Sequence, residues 1–314
     1  MPDPASAILV IKLGALGDFV LATGPFAAIR GHHFEARITL LTTAPFADLA
    51  RDGGWFDSVW LDDRPRWTQP SRWLALRRRL LAGRFDRVYD LQTSDRSGWY
   101  FRLLPRARRP EWSGIVSGCS HPHANPARDF MHTIDRQAEQ LAHAGIASVP
   151  APDLSGLEAD VSRLAPPPRF ALLVPGGASH RPAKRWPAEH YAALARDLIA
   201  DGITPVLLGA GEEAALLTEI AAAAPGAMAL AGQTTLGDLA GLGRSAAFAI
   251  GNDTGPMHLL AAAGCRSVVL FSHDSDPALC APRGPSVTIL RQARLADLQI
   301  DAVRDVLGDG RGSG

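Results

Sequence analysis

The sequence predicts an α/β protein with two doubly wound parallel sheets, one in each of two domains. The chain has 314 residues, about twice the usual length of one domain. Short apolar strands alternate with helical segments along it, as in parallel strands joined by crossover helices. The alternation stops in a proline-rich stretch, residues 149–168, and then starts again. We therefore expect a first domain over residues 1–165 and a second over residues 166–314.

Each half carries its own series of elements. In the first half the strand candidates are residues 7–12, 38–41, 58–61 and 87–89, and the helix candidates are residues 19–30, 73–81 and 130–144. In the second half the strand candidates are residues 170–174, 204–208, 228–230, 246–250, 267–271 and 286–290, and the helix candidates are residues 187–201, 214–223, 236–242, 256–263 and 295–307. The last helix either stays with the second domain or packs back on the first. Residues 117–129, rich in histidine and proline, are expected to form a loop. Doubly wound sheets bind ligands at the carboxyl ends of their strands, which predicts a site in the cleft between the domains.

Composition limits the classes of function. Hydrophobic residues make up 46% of the chain and charged residues 20%, with a formal net charge of zero, so no overall basic field selects nucleic acid. The three cysteines lie far apart, without metal-ligand or disulfide spacing, which suggests a reducing cytosol. The N-terminus lacks the pattern of a signal peptide, and no apolar run is long enough to span a bilayer. We expect a cytoplasmic protein whose contact with the inner membrane is at most peripheral.

One stretch, residues 251–264, predicts an anion site. An apolar strand breaks at a polar turn, and a helix follows that ends at Gly264. Such a turn points backbone N–H groups and the positive end of a helix dipole above the sheet, which suits a diphosphate. Gly255 lets a ligand approach the backbone, while Thr254 supplies a hydroxyl and Asp253 can bind a sugar hydroxyl or a cation. The alternative is an ordinary turn in which Asp253 and Thr254 only cap the helix.

The first strand runs into a turn, residues 14–18, that ends in a carboxylate. The glycines of this turn do not have the G-x-G-x-x-G spacing, and a carboxylate there would repel a dinucleotide pyrophosphate, so a dehydrogenase is disfavoured. Asp18 at a helix N-terminus is held ionised by the dipole and suits a general base. The alternative is that Asp18 only caps the helix.

Lysine is rare in this chain, which carries 30 arginines and two lysines, Lys12 and Lys184. A chain that uses arginine almost everywhere is expected to keep lysine where a compact point charge is needed. Lys184 lies in a polar loop before the helix that starts near Pro187, where it can reach a phosphate with help from the Ser179 hydroxyl. The alternative is a solvated basic loop.

Two further stretches suit a nucleotide and an acidic acceptor. Glu212 follows a strand and a glycine-rich turn, where a carboxylate can bind two ribose hydroxyls, or can simply stabilise a helix start. Residues 72–109 contain eleven arginines and three aspartates, which suits an acidic acceptor such as a phosphorylated glycolipid, or a solvated face.

Four motifs in this order resemble glycosyltransferase family 9, the ADP-heptose:lipopolysaccharide heptosyltransferases. They are GALGD at 14–18, GAS-x-x-P-x-KRWP at 177–187, GAGE at 209–212 and NDTGPMHLLAA at 252–262. The DLQ and RS of DLQTSDRSG, residues 90–98, are also similar to the first-domain pattern of the family. The resemblance runs from residue 8 to about residue 271.

The resemblance implies a GT-B fold, in which two Rossmann-like domains face each other across a cleft. The first domain would bind the acceptor, an inner-core lipopolysaccharide hydroxyl or a related glycan, and the second would bind an ADP-sugar. It implies inverting transfer of a heptose in one displacement without an essential cofactor or metal, with a divalent cation at most stimulating the reaction. The residues that match the motifs are Asp18 as the base, Lys184 and Ser179 on the donor phosphates, Glu212 or its neighbour Glu213 on the ribose, the donor-binding turn Asp253, Thr254, Gly255 and His258, and Gly17, Gln92 and Arg96 towards the acceptor.

Two other classes of function remain open on the residues alone. A nucleotide-sugar isomerase or epimerase can use the same two-domain scaffold, and product analysis without an acceptor would distinguish it. A non-catalytic nucleotide- or carbohydrate-binding protein is the third possibility, although the presence of Asp18 speaks against it.

Overall fold

A computed structural model describes residues 6–177 and 181–308. The chain forms two compact units, Met1–Pro152 and Asp153–Gly314, so the boundary predicted after residue 165 lies inside the second unit. The intervening segment is bound to the second unit, because Leu154 N donates to Ala262 O at 2.8 Å and Arg163 forms an ion pair with Asp238. Within the described residues no helix combines the length and the apolar character that crossing a bilayer requires.

The first unit is a six-stranded parallel sheet with helices on both faces. Its strands are β1 (Ala7–Ile11), β2 (Arg37–Thr42), β3 (Ser58–Leu61), β4 (Arg87–Asp90), β5 (Glu111–Gly114) and β6 (His121–Pro122). Its helices are α1 (Leu16–Leu21), α2 (Thr23–His32), α3 (Ala47–Asp52), α4 (Pro70–Ala82), α5 (Asp95–Leu103) and α6 (Thr133–His143). The strand order is β3-β2-β1-β4-β5-β6, and every pair is parallel.

The second unit repeats this architecture. Its strands are β7 (Phe170–Val174), β8 (Thr204–Leu207), β9 (Met228–Ala229), β10 (Ala249–Asn252), β11 (Ser267–Phe271) and β12 (Val287–Arg291). Its helices are α7 (Ala188–Ala200), α8 (Ala214–Ala223), α9 (Leu236–Ser245), α10 (Gly255–Ala262), α11 (Pro277–Cys280) and α12 (Ile300–Gly308). The order β12-β11-β10-β7-β8-β9 is that of the first sheet read from its other edge.

Each sheet therefore has one point at which the strand order reverses. It lies between β1 and β4 in the first unit and between β7 and β10 in the second. Helices leave such neighbouring strands in opposite directions, which opens a crevice at the carboxyl ends of the strands. The predicted fold class, two doubly wound parallel sheets, is confirmed.

Buried side chains from strands and helices form the core of each unit. In the first unit Leu9 and Ile11 pack with Trp73 of α4 and Tyr100 of α5, so α4 and α5 cover one face of the sheet. In the second unit the core includes Leu295, Leu298, Val303 and Leu307 from the C-terminal segment, so α12 packs on the second sheet.

Two predicted helices are interrupted in the structure. The helix expected over residues 19–30 is α1 followed by α2, because Pro25 lacks an N–H group and its ring would clash with the carbonyl four residues earlier in a continuous helix. The helix expected over residues 295–307 is a short 3₁₀ turn, Leu295–Asp297, followed by α12. The carbonyl of Leu298 between them accepts a hydrogen bond from Trp186 Nε1 at 2.9 Å, which holds the break. The predicted loop at 117–129 also contains β6, which is only two residues long.

Candidate active site

The residues predicted to bind the donor lie in loops at the carboxyl edge of the second sheet. Asp253 follows β10, Lys184 lies between β7 and α7, and Glu212 follows β8. Because β10 and β7 flank the point of strand reversal, the first two residues meet at the crevice. Backbone packing is tight there, since a Cβ on Gly251 would lie 2.7 Å from both Val174 Cβ and Met257 Sδ.

Lys184 and Asp253 form an ion pair that is largely shielded from solvent. Lys184 Nζ donates to Asp253 Oδ2 at 2.6 Å and to Ser275 Oγ at 2.9 Å, and Ser275 Oγ donates to the same Oδ2 at 2.6 Å. The side chains of Lys184 and Asp253 are only 12% and 8% exposed. His258 Nε2 of α10 lies 4.0 Å from the other carboxylate oxygen. The fold thus brings Lys184 together with Asp253 and His258, which lie 69 and 74 positions later in the sequence.

The start of α10 lacks a side-chain cap. Thr254 occupies the N-cap position, but its hydroxyl donates to Asn252 O at 3.2 Å and no side chain caps the helix. The interpretation of Asp253 and Thr254 as plain helix caps is therefore wrong. The Gly255 N–H and the nearby Lys184 ammonium are the donors at this edge, because Pro256 has no N–H and Met257 N donates to Thr254 O at 3.1 Å. A donor and a cation at a helix start suit the binding of a phosphate.

The two neighbouring glutamates after β8 differ in their surroundings. Glu213 accepts hydrogen bonds from Gly177 N and Ala210 N, both at 2.8 Å, and so ties the β7 loop to the β8 loop. A Cβ on Gly176 would lie 1.8 Å from Glu213 Oε1, so this loop needs glycine beside the carboxylate. Glu212 is exposed, and within the described part of the chain its carboxylate accepts no hydrogen bond. Glu212 is thus the carboxylate that remains available to a ligand.

Asp18 lies in the first turn of α1, at the carboxyl end of β1 in the first unit. The N-cap of this helix is Ala15, so the interpretation of Asp18 as a plain cap is wrong. Asp18 is half-buried, and among residues 6–177 and 181–308 no group donates a hydrogen bond to its carboxylate. A half-buried carboxylate in the positive field of a helix start, with its lone pairs free, can accept a proton from a bound hydroxyl.

A buried lysine and a buried aspartate lie beneath the Asp18 turn. Lys12 Nζ donates to Leu91 O at 3.1 Å, and burial lowers the pKa of Lys12 although the nearby Asp18 charge acts to raise it. Burial raises the pKa of Asp90, at the end of β4, to about 6, against the opposing effect of hydrogen bonds from Thr93, Ser97 and Gln92. These groups join the ends of β1 and β4 on either side of the strand reversal.

The three residues predicted to face the acceptor have different environments. Gln92 Oε1 accepts from Leu13 N at 2.8 Å, so this side chain holds the start of the Asp18 turn in place. Arg96 Nη1 donates to Pro65 O at 3.3 Å, so this guanidinium supports the loop between β3 and α4. Gly17 is half-exposed next to Asp18 in α1. The structure therefore places Gln92 beside the Asp18 turn, whereas the Arg96 side chain is hydrogen-bonded to the loop between β3 and α4.

The sequence model of glycosyltransferase family 9 (heptosyltransferase) matches residues 73–303. The chain belongs to glycosyltransferase family 9. The match begins at Trp73 in α4, so it covers about half of the first unit and nearly all of the second, including the KRWP and NDTGPMH motifs. The family suggested by the motifs is thereby confirmed.

Curated relatives and solved structures agree with this membership of family 9. The lipooligosaccharide heptosyltransferase 2 of Haemophilus influenzae is 35% identical over 120 residues, which are 37% of this chain and 34% of that protein. The chain thus matches about a third of the length of this curated relative.

Solved structures of family 9 proteins share the fold over nearly the whole chain. A glycosyl transferase family 9 structure from Veillonella parvula has a TM-score of 0.84 at 20% identity, covering 98% of this chain and 97% of that one. The E. coli ADP-heptose lps heptosyltransferase II has a TM-score of 0.77 at 22% identity, covering 96% of this chain and 98% of that one. The fold of the chain is therefore GT-B.

The structure of this family 9 chain adds residues that the sequence did not single out. Asn252 is fully buried, accepts from Trp186 N and the Tyr191 hydroxyl, and donates to Pro175 O and Gly176 O. Its side chain therefore holds the loops that carry the donor-site residues. A buried asparagine at the end of an apolar strand was the only signal for this role.

Two further residues complete the surroundings of the Lys184 loop. Ser275 completes the network of Lys184 and Asp253, and nothing in the sequence near β11 distinguished it. Arg185 donates to Gly177 O, whereas its Nε is buried and has no hydrogen-bond partner among the described residues. Ser179, predicted to assist Lys184, lies outside the described residues. Within residues 6–177 and 181–308 no three His, Cys, Asp or Glu side chains are placed to hold a metal ion together.

Proposed function

We propose that the chain is an inverting glycosyltransferase that moves a heptose from ADP-heptose to a hydroxyl of a lipopolysaccharide inner core or a related glycan. Membership of family 9, whose description names heptosyltransferases, supports the reaction class. The names of the H. influenzae relative and of the E. coli structure support heptose as the sugar and ADP as its carrier. The observation that carries the proposal is the ion pair of Lys184 and Asp253 at the uncapped start of α10.

The donor half of the reaction depends on positive charge. As the bond from the heptose to the diphosphate breaks, ADP gains negative charge. The Lys184 ammonium and the Gly255 amide at the start of α10 stabilise this charge more in the transition state than in the ground state, which raises the rate. Glu212 binds the ribose hydroxyls, and Asp253 and His258 orient the donor. This arrangement supplies the charge without an essential metal, so a divalent cation would only stimulate transfer.

The acceptor half depends on Asp18. The acceptor hydroxyl attacks the anomeric carbon of the heptose on the face opposite the departing ADP, and its proton passes to the Asp18 carboxylate. General base catalysis of this kind is worth roughly 10²–10⁴-fold in rate. Gln92 positions the turn that carries Asp18, and Gly17 leaves room beside it for the acceptor, with Arg96 supporting the adjacent loop.

Arginines near Asp18 favour an anionic acceptor such as a phosphorylated glycolipid. Arg128 Nη2 donates to Thr93 Oγ1 at 2.7 Å, and burial and the neighbouring Arg136 lower the pKa of the Arg128 guanidinium. Both arginines also lower the pKa of the buried Lys12, against the opposing effect of the Asp18 and Asp90 carboxylates, so three cations act on one another at this edge. A phosphate or carboxylate on the acceptor would relieve their mutual repulsion.

The experiment that tests the proposal is product analysis with ADP-heptose, with and without a heptose-free core acceptor, in the presence and absence of EDTA. We expect a heptosylated acceptor with inverted anomeric configuration, formed with EDTA as well as without it. Conversion of the donor sugar without acceptor would instead identify an isomerase. Binding of ADP-heptose with no product from any core acceptor would identify a binding protein.

A further inference from the structure

The surface of the first unit carries an exposed cluster of tryptophans. Trp67, in the loop between β3 and α4, is 63% exposed, and Trp99 of α5 is 41% exposed. Their ring centroids lie 5.2 Å apart at a steep angle. The other side of Trp67 stacks on Trp73 of α4 at 4.9 Å, with the ring planes 13° apart. Two large aromatic side chains are thus exposed to water, although they contact each other and one of them stacks on the buried Trp73.

The loop that presents Trp67 is held from both neighbouring helices. Trp73 Nε1 donates to Arg66 O at 3.0 Å, and Arg96 Nη1 donates to Pro65 O. The hydroxyl of Tyr100 donates to Asp62, which in turn accepts from Arg64 N at 2.8 Å. With so many backbone and side-chain anchors, the exposure of Trp67 is a defined feature of the fold.

Positive charge lies against Trp99, and the helix that holds Trp73 carries a further exposed apolar side chain and a basic one. The Arg102 guanidinium lies 5.2 Å from the centre of the Trp99 ring. Leu74 is 42% exposed and shares one face of α4 with the exposed Arg78, four residues further on. Residues 66–109 contain twelve arginines and three aspartates, but Arg84 lies at the opposite edge of the sheet and Arg87 is buried and paired with Glu111, so neither belongs to this surface. We call the residues Trp67, Leu74, Arg78, Trp99 and Arg102 the tryptophan surface.

Exposed tryptophans among arginines are characteristic of proteins that bind the surface of a membrane. The amphipathic indole ring is favoured at the level of the lipid headgroups. Each arginine near an anionic leaflet contributes about 1 kcal/mol of attraction. Because the net charge of the chain is zero, attraction to an anionic leaflet has to come from local cations such as Arg78 and Arg102 and not from the charge of the whole protein.

The Trp67 end of the tryptophan surface lies close to the turn that carries Asp18. The loop of Trp67 follows β3, so it is at the carboxyl edge of the sheet, as is the Asp18 turn after β1. Arg64 in this loop donates to Leu13 O of that turn at 2.8 Å. We propose that the first unit docks on an anionic lipid bilayer through the tryptophan surface, which holds the Asp18 edge near the headgroups. This inference deepens the proposed function, because a lipid-linked acceptor would be met at that surface.

The test is co-sedimentation of the full chain with vesicles of phosphatidylcholine and phosphatidylglycerol, with vesicles of phosphatidylcholine alone beside them, at low and high salt. We expect binding to the anionic vesicles that weakens with salt. Replacing Trp67 and Trp99 together by Ser should lower the partition coefficient by about tenfold or more, because two aromatic side chains lose their apolar contact. Replacing Arg78 and Arg102 together by Gln should lower it by about thirtyfold, from about 1 kcal/mol for each charge.

Matched controls lie at the opposite edge of the same sheet. Phe34 is 63% exposed, as Trp67 is, but it precedes β2, and the exposed Arg84 precedes β4. Phe34→Ser and Arg84→Gln should leave vesicle binding unchanged. Thermal unfolding of every variant shows whether the fold is retained, and the exposed arginine pair provides a second measurement if the tryptophan pair is unstable. The inference would be overturned if the wild-type protein does not bind anionic vesicles. It would also be overturned if the tryptophan pair and the arginine pair of variants bind them as well as wild type.

A transfer assay separates this inference from the proposed function. With a short water-soluble acceptor, the Trp67→Ser, Trp99→Ser protein should keep its turnover, whereas with acceptor embedded in anionic vesicles its rate should fall. A fall with both acceptors would mean that the tryptophans bind the glycan instead, and would refute docking. Vesicle binding is measured without substrates, so it tests the docking inference even if the protein transfers no heptose.

Discussion

Removing the Lys184 ammonium tests the donor site most directly. In the structure this group bonds to Asp253 and Ser275, and all three lie at the start of α10. Lys184→Ala deletes the cation that we propose for the ADP phosphates. It also leaves the Asp253 carboxylate, which is 8% exposed, without its ammonium partner, while the Ser275 hydroxyl still donates to it and His258 Nε2 lies 4.0 Å away.

Two effects with opposite signs set the size of the loss. A hydrogen bond to a charged group contributes about 1.5–3 kcal/mol, which corresponds to roughly ten- to 150-fold in the affinity for ADP. In the free protein Lys184 already bonds to Asp253, so exchanging this partner for phosphate lowers the net gain. Without Lys184, however, the charge of the Asp253 carboxylate is no longer balanced by the ammonium and repels the diphosphate, which increases the loss. We therefore expect a decrease of at least about tenfold.

Calorimetric titration with ADP measures this loss, with Arg181→Ala as the control. Arg181 is an exposed cation three residues before Lys184, and its removal should leave the affinity unchanged. Adding Asp253→Asn to Lys184→Ala should restore part of the affinity if repulsion contributes, and the double-mutant cycle gives its size. An unchanged affinity in Lys184→Ala, or an equal loss in Arg181→Ala, would refute the phosphate role of Lys184.

Three further predictions concern Asp18, the glutamate pair and Asp90. Asp18→Asn should lower turnover by roughly 10²–10⁴-fold while calorimetry shows normal ADP affinity, and near-normal turnover would remove Asp18 as the base. Glu212→Gln should weaken ADP binding about tenfold or more and leave the thermal stability unchanged. Glu213→Gln should instead lower the unfolding temperature, because it disturbs two hydrogen bonds from backbone N–H groups. The reverse pattern would assign the ribose to Glu213. Because the pKa of Asp90 is raised from 3.8 to about 6 on folding, its protonated form is favoured in the folded state, and the associated stability is present below pH 3.8 and is lost as the pH rises to about 6. The total is about 3 kcal/mol, so urea unfolding of Asp90→Asn should show a weaker loss of stability over this range than wild type, and parallel slopes would contradict the assignment.

The sequence by itself determined the fold class and the family. Apolar strands alternating with helices specify a doubly wound sheet because the central strands must be buried on both faces, and this requirement is local enough to be visible in the chain. The motifs around Asp18, Lys184, Glu212 and Asp253 likewise follow strand ends, where parallel sheets place their ligand sites. Both the fold class and membership of family 9 are confirmed, whereas the roles of the site residues stay predictions.

Only the tertiary structure decided which groups meet. Ser275 joins Lys184 and Asp253 because β11 lies beside β10, and Asn252 binds the β7 loop because β7 is the other neighbour of β10. The same holds for Glu213, whose carboxylate bonds to a residue 36 positions away and is thereby distinguished from Glu212. Such contacts depend on the order of strands in the sheet, and residue spacing along the chain carries no information about that order. The exposure of Trp67 is decided in the same way, because the aromatic residues that surround it come from two helices that only the folded sheet brings together.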